Sequence, residues 1–196
     1  MVLARVGLLA LLAGALVLDA GCASAPAAAQ AQEYLDEQTG ATVTVVDSPL
    51  VFARQRTELA ANLRDYVTLS AASVNRGGKV EYVLVAYVWS TIDALDAPKS
   101  ALADSLLLMA DDRRIKLSAN GKTPAELGIA RAVHAPAGQD VKPLVFPTDL
   151  GTLRFIAAAR SLAAQATLGE DTVSYDLWDD QRRALDRYVR FLNGER

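Results

Sequence analysis

The stretch that most limits what this chain can fold into is residues 66–89, where two β-rich runs, 66–74 and 80–89, flank Asn75-Arg76-Gly77-Gly78-Lys79. Glycine reaches positive φ without a Cβ penalty, so a Gly-Gly centre lets two strands reverse tightly and pair as a hairpin. In the second run Val80, Tyr82, Leu84, Ala86 and Val88 share one face, while Glu81, Val83, Val85, Tyr87 and Trp89 share the other. Both faces are largely apolar, which describes a central strand covered on both sides. The rest of the chain must then supply strands for the edges and a layer for each face.

It has the material to do so. Residues 42–46 alternate loosely and end at the turn cluster Asp47-Ser48-Pro49; residues 49–54 read as another short strand, followed by a polar connection through Glu58 and Asn62. Residues 90–103, with Asp93, Asp96 and Pro98, read as a loop. A second hairpin joins 105–109 to 115–117 through Asp111-Asp112-Arg113-Arg114, and a third joins 162–168 to 172–177 around Gly169-Glu170-Asp171. Weaker strand patterns lie at 129–133 and 141–146. Thr123-Pro124-Ala125-Glu126 resembles a cap with Pro in the first helical position of a single turn.

Helices come late. Thr148 is placed to cap residues 149–160, with Leu150, Leu153, Ile156 and Ala157 on one stripe. The last helix, 179–192, starts with Asp179 and Asp180, carries Arg187 and Arg190 toward its end, and has Leu185, Tyr188, Val189 and Leu192 as its apolar stripe before Gly194 stops it. Hairpins without βαβ alternation predict an α+β domain: a mainly antiparallel, β-sandwich-like body of about seven to ten strands, with late helices including a C-terminal one.

The N-terminus has a different character. Arg5 is the only charge before the apolar run 6–18, which is shorter than the roughly 20 residues a membrane-crossing helix needs. A short basic head, an apolar middle and small residues at the exit make a secretory signal. The exit, Ala20-Gly21-Cys22, resembles the lipobox of bacterial lipoproteins, with Asp19 standing where that family has an aliphatic residue. The resemblance implies cleavage before Cys22 and lipidation of its thiol; Ala23, in the following position, implies the outer membrane. One acyl chain holds a protein only marginally, and the lipoprotein pathway supplies three. Ordinary cleavage sites at Ala27-Ala28-Ala29 or Ala29-Gln30-Ala31 are the alternative and would release a periplasmic protein without Cys22. The expected organisation is a signal over 1–21, Cys22 and an Ala/Gln/Pro tether over 22–33, and one globular domain over 34–196.

The chain's net charge of -3, with both signs interspersed, lacks the basic clustering that nucleic-acid binding requires. Its one cysteine leaves no internal disulfide to form, so the core must hold by packing.

Chemistry is sparse. The only histidine, His134, stands beside Ala135-Pro136 and reads as an exposed loop residue; no Gly-x-Ser-x-Gly elbow exists to give it a nucleophile. One His and one Cys cannot assemble a zinc site, and no calcium-loop spacing occurs around Asp93/Asp96 or Asp111/Asp112, so no metal or cofactor is expected. Asp111-Asp112-Arg113-Arg114 reads as a solvated turn, and Glu81 as an outward-facing or ion-paired strand residue. Trp89 and Trp178, with the six tyrosines, could line a ligand groove, although aromatics at strand ends and helix starts more often pack at the rim of the core; Tyr87 and Trp89, leading toward Asp93, form the stretch most suited to a groove.

As a whole the chain resembles small Gram-negative bacterial lipoproteins. More loosely, its hairpin-rich body resembles the β-sandwich lipoprotein of the type VI secretion membrane complex, from which it departs by an additional C-terminal helix and by lacking that protein's asparagine-aspartate-glycine-arginine hairpin pattern, with only Asn75, Gly77 and Gly78 at a similar place. The expectation is a non-catalytic envelope lipoprotein, anchored in the outer membrane with its domain facing the periplasm, that contacts an envelope protein, lipid or cell-wall component. A carboxylate-dependent hydrolase of envelope polymers is the enzymatic alternative.

Overall fold

The computed structural model describes residues 31–57, 63–91, 105–138, 141–168 and 171–195. The signal, Cys22 and most of the tether lie outside the described residues, as do Glu58, Asn62, Asp93 and most of the 90–103 loop, and Gly169-Glu170. The described residues form ten strands, β1 (Gln32–Asp36), β2 (Ala41–Val45), β3 (Leu50–Gln55), β4 (Arg64–Arg76), β5 (Lys79–Ser90), β6 (Ser105–Ala110), β7 (Arg113–Ser118), β8 (Leu144–Thr148), β9 (Leu162–Leu168) and β10 (Asp171–Asp179). Helix α1 (Leu150–Ala158) precedes β9, and α2 (Arg182–Leu192) follows β10. Every ladder is antiparallel, and the two helices come late, as expected of the α+β class.

The long hairpin 66–89 is the organising centre, extended to β4 and β5. One edge of β4 pairs with β5 along nearly its whole length. Its other edge is divided, with residues 64–69 on β3 and 72–75 on β2. A path of eight strands, β8-β5-β4-β3-β10-β9-β6-β7, results, with the β1-β2 hairpin as a branch. The path curls until its two ends, β7 and β8, lie against one another without a ladder. An antiparallel sheet of eight strands is about the size that closes around a core filled by side chains.

Period two sorts the residues of that path between a concave and a convex face. The concave face gathers Leu50, Phe52, Val67, Leu69, Leu84, Ala86, Leu106, Leu108, Phe146, Ala164 and Tyr175 into one cluster with Leu153 and Ile156 of α1 and Leu185, Tyr188 and Val189 of α2. The convex face of β2, β4, β5 and β8 is covered instead by the irregular segment that follows β7. There Leu127, Ile129 and Val133 pack on Val43, Val74, Val83, Val85 and Tyr87.

Several local expectations are corrected. Residues 129–133 form no strand: Ile129 and Val133 are buried as lone anchors of the covering segment, without a ladder. Strand β8 starts at Leu144, later than the expected 141, and runs through Pro147 to Thr148. It pairs only with β5, so proline's missing N–H falls on an edge strand. Asp149 caps α1, not Thr148: its carboxylate accepts from the Thr152 N–H and Oγ1, each at 2.8 Å. The helix ends at Ala158, short of Arg160. The C-terminal helix begins at Arg182 because Asp179 still belongs to β10. The first strand also takes in Gln32 and Glu33, ahead of Tyr34.

The expected turn at residues 123–126 is a single 3-10 turn over Ala125–Leu127. Thr123 Oγ1 accepts from the Glu126 N–H at 3.3 Å and Glu126 Oε2 accepts from the Thr123 N–H at 2.7 Å, so each satisfies the other's backbone donor. Beyond that turn the covering segment is fastened to the β1-β2 hairpin. Buried Asp36 accepts the N–H groups of Gln38 at 2.9 Å and Thr39 at 3.2 Å, and from the covering segment that of Ala130 at 3.2 Å. Burial alone would raise its pKa, but those N–H groups hold it below the ordinary carboxylate value.

Candidate binding surface

The only histidine is not an exposed loop residue. His134 is half-buried, has φ 49°, and joins the covering segment to the sheet. Its Nε2 lies 3.1 Å from the Asp47 carbonyl oxygen, which can only accept, so Nε2 carries the proton. Nδ1 is then an acceptor, 3.1 Å from Ser70 Oγ, which donates to it. Burial holds the imidazole pKa below its ordinary value, partly offset by the Asp47 carbonyl. A serine hydroxyl on an imidazole has the composition of an activated nucleophile, but Ser70 is 0 % exposed in the middle of β4, where no substrate carbonyl can approach. The pair is a fastening.

The six carboxylates displaced from their ordinary pKa among the described residues are Asp36, Glu81, Asp111, Glu126, Asp149 and Asp180, and all are displaced downward. A general acid at neutral pH needs the opposite shift. Asp111 shows the cause. The expected solvated turn is a specific brace: Asp111 has φ 49°, and its Oδ1 accepts the N–H groups of Arg160 at 3.0 Å and Ser161 at 2.9 Å. Asp111-Asp112 alone make the turn, since Arg113 and Arg114 already belong to β7. Glu81 is held by Lys79 at 3.0 Å, an exposed ion pair. Among the described residues no group of three or more His, Cys, Asp or Glu side chains is placed to hold a metal ion.

The residues singled out for a groove separate. Tyr87 is 3 % exposed and belongs to the core beneath the covering segment, in the same apolar cluster as Val133, and burial pushes its hydroxyl pKa up. Trp89 is half-buried; its indole N–H donates to Thr68 Oγ1 at 3.0 Å, and its ring stacks on Tyr66, its direct cross-strand partner, with centroids 4.3 Å apart. Asp93 lies outside the described residues.

Trp178, expected to pack at the rim of the core if it did not line a groove, is the aromatic the structure leaves in water. It is 58 % exposed, more than any other aromatic of the described residues, and the Arg64 guanidinium lies 4.6 Å from its ring centroid. Alternation along β10 puts Val173, Tyr175 and Leu177 on the concave side, so Trp178 follows Ser174 and Asp176 on the convex one. A register irregularity then isolates it. Leu177 stands opposite Phe52 and Asp179 opposite Val51, which leaves Trp178 as the extra residue of a bulge with no cross-strand partner on β3. Arg64 shares the convex face of β4 with Tyr66 and Thr68, and its guanidinium spans from there to the indole.

Beyond Trp178 the convex face carries no apolar cover from the described residues. Across β10, β9, β6 and β7 it presents Thr172, Ser174 and Asp176, then Ala163, Gln165 and Thr167, then Leu107 and Met109, then Arg114 and Lys116. Gln165 Nε2 donates to Ser174 Oγ at 3.3 Å. One part of the convex surface is thus roofed by apolar anchors, and the other is a largely polar sheet face bordered by an exposed indole. No family model, curated protein or solved structure matches the chain.

Proposed function

We propose that this protein is a non-catalytic lipoprotein of the cell envelope, held in the outer membrane through Cys22, whose domain faces the periplasm and binds an envelope component through the open convex face beside Trp178. The anchor rests on Ala20-Gly21-Cys22 after an apolar run with one preceding basic residue. The binding role rests on Trp178, since an indole left in water beside an arginine is the kind of group that anchors recognition. Binding is favoured over hydrolysis because all six displaced carboxylates among the described residues are shifted away from the neutral form a general acid needs. In each of them N–H, hydroxyl or basic donors outweigh burial and favour the charged form.

The anchor is tested by metabolic labelling with radioactive palmitate. The wild type is expected to take up label and fractionate with the outer membrane, and a Cys22→Ala variant is expected to lose both. Equal labelling and fractionation of the two proteins would end the lipoprotein reading. The binding role is tested in intact cells with a photoreactive residue in place of Ser174 on the open face. Recovery of no envelope component above an anchored control domain would count against it.

A further inference from the structure

The open convex face has a chemistry that names its ligand more narrowly than an envelope component. We infer that it binds an extended glycan bearing carboxylate groups, an inference that rests on the binding role proposed above. Three features of the face converge on that class.

The first is the indole. Trp178 is 58 % exposed, and Arg64 lies over one side of its ring, which fixes the ring's orientation. The exposed part is an apolar platform with an N–H donor at its rim. The apolar face of a pyranose ring suits such a platform, and its hydroxyls suit the rim. The Tyr66-Trp89 stack extends the aromatic border on the same face of β4 and β5.

The second is the floor. Thr172, Ser174, Gln165 and Thr167 present hydroxyls and an amide, groups that both donate and accept, as the hydroxyls of a sugar require; Ala163 beside them, and Leu107 and Met109 between them and the β7 cations, are apolar surface for ring faces. Trp178 on β10 and the cations on β7 are three inter-strand steps apart, roughly 14 Å at about 4.8 Å per step. A ligand touching both ends therefore spans several sugar units.

The third is charge. The chain carries a net charge of -3, yet this face sets Arg64, Arg114 and Lys116 against Asp176 and Asp179. None of these three cations forms an ion pair among the described residues. A local cationic excess on an acidic protein favours an acidic ligand, and the attraction weakens as salt screens it.

The test measures binding to the full-length protein in detergent, by titration calorimetry, with two probes of matched length. One is a peptide-free strand of alternating N-acetylglucosamine and N-acetylmuramic acid, with a carboxylate on every second sugar; the other is a neutral chito-oligosaccharide. The acidic strand is expected to bind about tenfold more tightly. Trp178→Ala is expected to weaken both by about tenfold, and Trp178→Phe to restore part of the loss. Because Trp178 is exposed, neither change should unfold the protein, which circular dichroism checks. Combining Arg114→Gln with Lys116→Gln should reduce the preference for the acidic strand to below about threefold, because the acidic affinity falls more than the neutral one. Failure to bind either probe, unchanged binding by Trp178→Ala, or a full preference that survives the double substitution would overturn the inference. Crosslinking of an envelope protein from Ser174 without binding of either glycan would end the glycan inference alone. Calorimetry also reads binding whether or not Cys22 is acylated, so failure of the anchor is a separate result.

Discussion

Removing the His134 imidazole should expose how strongly the covering segment depends on one buried hydroxyl. In His134→Ala, Ser70 keeps its hydroxyl at 0 % exposure but loses the acceptor 3.1 Å away. An unsatisfied buried hydroxyl costs about 1–3 kcal/mol, and the lost Nε2–H bond to the Asp47 carbonyl adds about 0.5–1.5 kcal/mol. The backbone at φ 49° is no easier for alanine than for histidine, so no strain relief offsets the loss. The single substitution should therefore destabilise by about 2–4 kcal/mol. Ser70→Ala leaves only a half-buried Nδ1 unpaired and should cost about 0.5–1.5 kcal/mol. In the double variant the stranded hydroxyl is gone, so its cost should fall short of the sum by about 1–2 kcal/mol. Urea unfolding of the four proteins at roughly pH 8 measures this cycle. Additivity within about 0.5 kcal/mol would refute the hydrogen-bond chain.

The same chain sets a pH dependence. The folded-state pKa of His134 lies below its ordinary 6.5, so the unfolded chain binds the proton more readily. The contribution is fully present above about 6.5 and is lost as pH falls through the folded value. His134→Gln should remove that part of the acid sensitivity; an unchanged pH profile would contradict the assignment.

Other consequences are independent of the histidine. Gly128 has φ 84°, and an added Cβ would stand 2.8 Å from Thr39 Oγ1 and 2.9 Å from Arg76 Nη2. Gly128→Ala should therefore cost at least about 1 kcal/mol in denaturant unfolding, and a cost below about 0.3 kcal/mol would refute the constraint. The buried tyrosines should part company. Tyr188 OH donates to the Thr44 carbonyl at 3.3 Å, so Tyr188→Phe should destabilise by about 1 kcal/mol. Tyr175 OH is buried without a hydrogen-bond partner among the described residues, and burial, reinforced by Asp65, pushes its pKa up to about 12. Tyr175→Phe should be neutral or stabilising in the same assay, and equal losses at the two sites would refute that distinction.

The hairpin at the centre was legible because its signals agree: Gly77 and Gly78 both have positive φ, and both faces of β5 carry apolar side chains. The same local agreement revealed the later hairpins and the two helices. Residues 129–133 misled because two buried apolar residues at even spacing look like strand alternation; only the apolar surface of β2, β4 and β5 decides that they cover a sheet instead of extending one. The helix starts moved for a related reason, since β8 and β10 kept residues that their caps would otherwise have used. Least legible was the candidate site. Trp178 has an ordinary sequence environment, and its isolation depends on a one-residue bulge against β3, a property of pairing between strands far apart in the chain. His134 likewise gained Ser70 as a partner 64 residues away.

The mass of the mature protein tests the central claim most directly. Intact mass spectrometry of protein extracted from outer membranes should give a chain starting at Cys22 and carrying three acyl chains. An unacylated chain beginning after Ala29 or Ala31 would contradict anchoring through Cys22.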